Sequence, residues 1–283
     1  MKLESFEKRD SLLKVIAIYA VLVLMCVVTV YPMLNVLSIA LRPGSRLFRS
    51  TLEIIPPDAT LENFKRVFTE LSYLTWLKNS LIVGVWTTMV GVLVSAFAGY
   101  AFSRYKFAGK RHIMTGFLLT QIFPAPMLLL PTYILLTRFK LMNSYIGLII
   151  PYLAAAIPFC AWTAKGFFDS IPFSLEESAY IDGAGPMKTF FKIIMPLSIP
   201  ALGVISLFAF TTAWNEYIIA RAILTKKDLI TLPVGLVNLM GQFNTHWGVY
   251  SASAILTSIP VMIFFMLMSK FMVSGLTLGG VKG

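Results

Sequence analysis

Few residues in this sequence could do chemistry. The 283 residues include two histidines and two cysteines, and none stands at the spacing of a metal site. Cys26 and Cys160 each lie inside an apolar run and read as small buried side chains. His112 and His246 sit at the edges of such runs. No H-E-x-x-H, G-x-S-x-G or G-x-G-D pattern occurs, so neither a zinc site nor an activated serine is available for hydrolysis. A G-x-x-x-x-G-K-[ST] phosphate loop is also missing, since Gly109-Lys110 is followed by Arg111 and lacks the upstream glycine. The sequence therefore assigns no catalytic residue, no metal and no cofactor.

The polar residues that remain are of another kind. Gln121, Asn215 and Glu216 interrupt long apolar runs. An amide or carboxylate there marks a solute path or bonds one helix to another. For Glu216 two readings stay open, a path lining and a helix end at the membrane interface. For Gln121 the competing reading is a hydrogen bond between helices. Gln121 shares its run with Pro124, Pro126 and Pro131, and broken backbone at depth is tolerated where it packs on protein or lines a watery cavity. Lys165 stands near a run's end, where it can snorkel.

The elements that position these residues follow from composition. Hydrophobic residues make up 57% of the chain, charged residues 13%, and mean hydropathy is +0.78. Soluble domains carry about 25% charged residues, so the solvent is expected to be a membrane. Net charge is +11; Lys and Arg gather at the ends of apolar runs, as headgroup anchors do, and nucleic acid is not the implied partner.

Six stretches reach the roughly 20 apolar residues that a helix needs to cross a bilayer: about 13–41, 77–103, 112–137, 146–168, 198–223 and 250–273. Barrel strands would be half as long. The first stretch, preceded by Lys8, Arg9 and Lys14, resembles a signal peptide but is too long and has no cleavage site, so it reads as a retained span. The expected fold is an all-α integral membrane protein of six transmembrane helices, residues 1–283 forming one domain. An even count puts both termini on one side. Basic residues divide almost evenly between the sides. The cluster Arg104, Lys106, Lys110 and Arg111 favours the cytosol for that loop; Arg42, Arg46, Arg49, Lys65, Arg66 and Lys78 in the first outer loop oppose it.

Two loops are long enough to fold. In the first, Phe64, Val67, Phe68 and Leu71 fall on one helical face, with Thr60 as N-cap. The second, about 169–197, reads as a helical hairpin. Ser174 and Glu177 have capping-box spacing. Asp182-Gly183-Ala184-Gly185 supplies a turn in which glycine takes positive φ, and Pro186 opens a second helix. Met187, Phe190, Phe191 and Ile194 form its apolar face, and Pro196 and Pro200 end it.

This hairpin resembles the cytoplasmic loop shared by permease subunits of bacterial ABC importers. The residues that carry the resemblance are Glu177-Ser178-Ala179, Gly183, Ile193 and Met195-Pro196. The family pattern is Glu-Ala-Ala, three residues, Gly, nine residues and Ile-x-Leu-Pro; Ser178 and Met195 depart from it mildly. Leu61-Glu62-Asn63-Phe64, Trp76-Leu77-Lys78-Asn79-Ser80-Leu81, Tyr100-Ala101-Phe102-Ser103-Arg104, Gln121-Ile122-Phe123-Pro124, Trp214-Asn215-Glu216-Tyr217 and the glycine-rich tail from Gly275 narrow the resemblance to the maltose-type carbohydrate permeases.

The resemblance implies a bacterial cell-membrane subunit with both termini cytosolic. It implies three partners: a second permease, a dimer of ATPase subunits and an external sugar-binding protein. The ATPase-coupling residues would be Glu177, Ala179, Asp182, Gly183, Phe190, Ile193 and Pro196. The outer loop before the last span, with Gln242, Asn244 and Trp247, would reach the binding protein, and the tail would thread between ATPase subunits. The cargo would be a malto- or galacto-oligosaccharide. The alternatives are a secondary sugar carrier driven by an ion gradient and an intramembrane enzyme.

Overall fold

The computed structural model describes residues 12–44, 55–241 and 245–278, and among them every regular element is helical. In chain order these are α1 (Leu12–Leu41), α2 (Glu62–Glu70), α3 (Tyr73–Arg104), α4 (Lys110–Ile122), α5 (Ala125–Arg138), α6 (Tyr145–Ser170), α7 (Ser174–Ile181) and α8 (Pro186–Thr189). A π-helical turn, Phe190–Ile194, leads to α9 (Met195–Leu197), α10 (Ile199–Asn215) and α11 (Ile218–Ile223). A 3-10 turn, Lys227–Leu229, then precedes α12 (Leu232–Asn238) and α13 (Trp247–Leu278). Helices α1, α3, α6 and α13 are each long and apolar enough to cross a membrane alone.

The other two expected crossings are bent. Helices α4 and α5 meet at 108°. Phe123 and Pro124 between them have ψ of 125° and 132°; Phe123 precedes a proline, which pushes it out of the helical region. Pro126 then lies in the first turn of α5, where its missing N–H costs nothing. The second bend, 80°, lies at Ser198, between the 186–197 segment and α10. A span over 198–223 is not continuous: α10 stops at Asn215, and α11 restarts after extended Glu216.

The described residues form two compact units. In the first, Asn63 on α2 is buried and its amide donates to the carbonyls of Ala40 (2.9 Å) and Arg42 (2.7 Å), hanging α2 from the end of α1. Thr60 Oγ1 accepts the Glu62 N–H from one residue outside the expected cap position, since Leu61 O accepts the first helical bond, from Lys65 N–H. The apolar stripe differs from the expectation: Val67 is buried, Phe68 is half exposed, and polar Asn63 takes an inward position because its two carbonyl acceptors satisfy it. Gly248 at the start of α13 lies on Asn63, where a Cβ would come within 2.4 Å of the amide.

The second unit is built on α3, α6 and α10. Small residues let these helices approach closely. A Cβ on Gly99 of α3 would lie 2.7 Å from Ala164 Cβ on α6, and Gly91 faces Leu153 and Ala209. One core cluster, with Ala96, Tyr100, Cys160, Phe168, Phe190 and Ile205, sits toward the hairpin. The other, with Val83, Leu148, Tyr152, Ala220, Ile223 and Val234, sits at the opposite end. There Asn79 donates to the carbonyls of Asp228 and Ile230 and accepts from Tyr145 Oη, while Ser80 Oγ accepts the Leu232 N–H. The polar chain between α11 and α12 is thus fastened to α3.

Candidate coupling site

The hairpin begins one residue earlier than its sequence suggests. Phe173 is already helical, the amides of Glu176 and Glu177 donate to the Phe173 carbonyl, and no side chain caps the helix. Ser174 is therefore the first residue of α7 rather than a cap, and the capping box with Glu177 does not form. Pro172 explains the change: its carbonyl accepts the Leu175 N–H in a turn that starts the helix from outside.

The reversal after α7 follows its residues closely. Gly183 has φ +77°. The Ala184 N–H donates to Ala179 O at 2.9 Å and the Gly183 N–H to Tyr180 O at 3.0 Å, the paired bonds of a Schellman motif. Pro186 opens α8 as expected. Pro196 does not end the second limb, however. The coil widens into the π turn, with the Met195 N–H bonded to Phe190 O. That leaves room for the Pro196 ring, and the chain breaks two residues later at Ser198.

The two limbs divide their residues between core and surface. Phe190 and Ile194 are buried, and the Phe190 ring packs on Tyr100 (4.8 Å), Phe97 (5.1 Å) and Phe168 (6.5 Å). Ala179 is buried, Ile193 is half-buried, and Glu177, Asp182, Gly183 and Pro196 are exposed. At the tip Ile181 is 86% exposed and Met187 59%. Met187 and Phe191, on the expected apolar face with Phe190 and Ile194, are exposed, though the Phe191 ring meets Phe97 edge-on at 5.9 Å.

What holds the hairpin is a residue beside the motif. Glu176 is fully buried. Tyr100 Oη donates to one of its carboxylate oxygens at 2.6 Å, and Arg104 Nε pairs with the other. Arg104 also donates to Ile171 O at 3.0 Å and to Ser103 Oγ at 3.1 Å. Ser103 in turn donates to Asp169, which pairs with Lys165. A polar chain thus joins the ends of α3 and α6 to α7. The sequence signal for it is slight. Tyr100 and Arg104 are one turn apart on α3, and of the adjacent acids Glu176 and Glu177 only Glu176 shares a helical face with Ala179.

The residues expected along a solute path fall at separate places. Gln121 Nε2 donates to Ala155 O at 3.2 Å, joining α4 to α6. Asn215 is exposed at the end of α10. Glu216 caps α11: one carboxylate oxygen accepts the Ile219 N–H (2.7 Å), the other the Ala220 N–H (3.0 Å) and Tyr152 Oη (2.7 Å). Trp247 is half-buried and meets Tyr250 edge-on at 6.0 Å. Gln242 and Asn244 lie outside the described residues. So do residues 279–283 of the tail, whereas its first part, residues 274–278, continues the backbone of α13.

Residues 91–277, which contain the hairpin, Gln121, Asn215, Glu216 and Trp247, match the family described as the binding-protein-dependent transport system inner membrane component. The chain belongs to this family. It is 37% identical over 269 residues to the galactooligosaccharides transport system permease protein GanQ of Bacillus subtilis, covering 94% of each chain. It is 34% identical to the maltodextrin transport system permease protein MdxG of the same organism, covering 96% of this chain and 98% of that one. Its fold is that of a chain in the crystal structure of a bacterial ABC transporter involved in the import of the acidic polysaccharide alginate. The TM-score is 0.79 at 23% identity, with 94% of this chain and 99% of that chain covered.

Membership makes this chain a multi-pass membrane component of a transport system rather than an enzyme. It leaves the ion-coupled carrier without support.

Proposed function

We propose that this chain forms half of the path of an ABC importer for an oligosaccharide of the malto- or galacto-oligosaccharide type. A second permease completes the path, a dimer of ATPase subunits drives it, and an external binding protein delivers the sugar. The similarity to GanQ, of a galactooligosaccharide transport system, and to MdxG, of a maltodextrin one, supports the sugar class. The chain lies in a bacterial cell membrane with both termini and the hairpin in the cytosol.

The observation that carries the reading is the division within the hairpin. Its base is bound to α3 through buried Glu176, while its tip exposes Ile181 and Met187 beside the charged Glu177 and Asp182. Exposed apolar side chains of this size on a capped turn suit a protein partner. Motion received at the tip would pass through the locked base as a rigid-body displacement of α3 and α6. Glu177 and Asp182 would meet the ATPase directly, Gly183 shapes the turn, and Ala179, Phe190, Ile193 and Pro196 support it from within.

Along the path, Gln121 and Asn215 are the polar side chains offered to the sugar, and Glu216 fixes the break at which Asn215 is presented. Gln242, Asn244 and Trp247 belong to the surface that meets the binding protein. Reconstitution of the chain with its permease and ATPase partners in proteoliposomes tests the reading. Sugar-loaded binding protein should stimulate ATP hydrolysis and drive uptake. Uptake without ATPase subunits, under an ion gradient alone, would overturn it.

A further inference from the structure

Away from the hairpin's tip, positive charge gathers in a cleft of about 540 Å³ between the α3–α4 linker, the start of α4 and the end of α6. Lys106, Lys110, Arg111 and Lys165 line it, together with Phe107 and Trp162. No acidic side chain is among its lining residues. Lys165 is offset by Asp169, and Lys110 Nζ donates to Tyr105 O at 3.3 Å. Lys106 and Arg111 have no ion pair among the described residues, and both are exposed.

The cleft has two chemistries, and their order along the helices is informative. Trp162 lies eight residues before the end of α6, about 12 Å along its axis. Its indole N–H donates to Met114 O at 3.1 Å, which fixes the ring in the cleft wall between α6 and α4. Lys165 is one turn nearer the end. On α4, Arg111 sits at the start and exposed Ile113 and Leu118 follow. On both helices cations stand at the end of the span and apolar surface succeeds them, the sequence of environments met by a lipid from headgroup to acyl chain. A free phosphate would use the cations but not the apolar wall of Phe107, Met114 and Trp162.

We infer that this cleft binds the phosphate-bearing headgroup of an anionic phospholipid. Lys106 and Arg111 contact the phosphate, and the acyl chains run along the exposed face of α4. The inference rests on the chain spanning a membrane and not on what it transports, so its failure leaves the coupling reading untouched.

Native mass spectrometry of the full-length chain, purified in detergent and titrated with defined lipids, tests it. Wild type should retain phosphatidylglycerol over phosphatidylcholine, and millimolar inorganic phosphate should not displace it. Lys106→Gln with Arg111→Gln should weaken retention about 30-fold, from the worth of two cations near an anionic surface. Lys226→Gln with Lys227→Gln, at the other end of the unit, should leave it unchanged. The charge-keeping pair Lys106→Arg with Arg111→Lys should retain the lipid and controls for folding. Undiminished retention in the Gln pair, equal retention of phosphatidylcholine, or displacement by inorganic phosphate would each overturn the inference.

Discussion

Glu176 and Arg104 form an ion pair in which the acid side chain is fully buried and the base 9% exposed. The pair connects α7 to the end of α3, and Tyr100 satisfies the second carboxylate oxygen. A buried pair of this kind adds little net stability compared with an apolar replacement, yet breaking it leaves a desolvated charge. Glu176→Ala should therefore destabilise the chain by about 3–5 kcal/mol. Tyr100→Phe removes one hydrogen bond to a charged group and should cost about 1.5–3 kcal/mol. Combining Glu176→Leu with Arg104→Met should recover most of the loss, read from thermal unfolding of the purified chain. Additive losses in the double variant would show that the two residues act separately.

Glu177 is the contrasting case. It is exposed, and no hydrogen bond ties its side chain to any of the described residues. Glu177→Gln should leave thermal unfolding within about 0.5 kcal/mol of wild type while weakening copurification of the ATPase subunits. Glu176→Gln should shift both measurements. Equal effects of the two substitutions on both would remove the distinction between an anchor and a contact.

The two adjacent glutamates also show how much could be read in advance. Helices, their lengths and the glycine turn were legible because hydropathy, proline and glycine act over a few residues. The Glu176 lock was not, since Tyr100, Arg104 and Glu176 meet only after α3 and α6 pack through Gly99 and Ala164. Periodicity put Met187, Phe190, Phe191 and Ile194 on one face but did not say which would be buried, because the rings that cover Phe190 come from Phe97, Tyr100 and Phe168 on distant helices. The bends at Phe123 and Ser198 were foreshadowed by Pro124, Pro126 and Pro200, but hydropathy alone counts a bent pair as one span. At Glu216 both open readings concerned its place in the membrane, whereas its bonds to Ile219 and Ala220 are local.

Close helix packing makes a separate prediction. Gly99→Ala would place a Cβ 2.7 Å from Ala164 Cβ and 2.9 Å from Lys165 N. Backbone must shift to admit it, at about 1–3 kcal/mol. Gly116→Ala on α4 meets nothing within 4 Å and replaces a poor helix former, so it should be neutral or slightly stabilising. Unfolding midpoints of the two variants decide this; a stable Gly99→Ala protein would mean that α3 and α6 are less tightly apposed.

Orientation can be read with thiols in a background lacking Cys26 and Cys160. Lys188 in the hairpin and Asp58 before α2 are both exposed. An impermeant maleimide added to intact cells should label Asp58→Cys and spare Lys188→Cys. The reverse pattern would place the hairpin outside and sink the coupling proposal.

Gly183 gives the sharpest test of coupling, because space and conformation can be separated there. Its φ of +77° is the left-handed conformation that L side chains resist, yet a Cβ would meet nothing within 4 Å. A substitution therefore suffers backbone strain without a clash, about 1–2 kcal/mol. That is small beside the burial of the spans, so each variant should reach the membrane. At a hairpin docked through one short turn, about 1.4 kcal/mol is a tenfold change in occupancy. Gly183→Val, β-branched, should insert normally while losing about tenfold in ATPase copurification and a similar share of uptake. Gly183→Asn, which tolerates the left-handed region, should keep most of both. If Val and Asn behave alike, or the Val variant keeps full activity, the positive φ at Gly183 is not what shapes the docked turn.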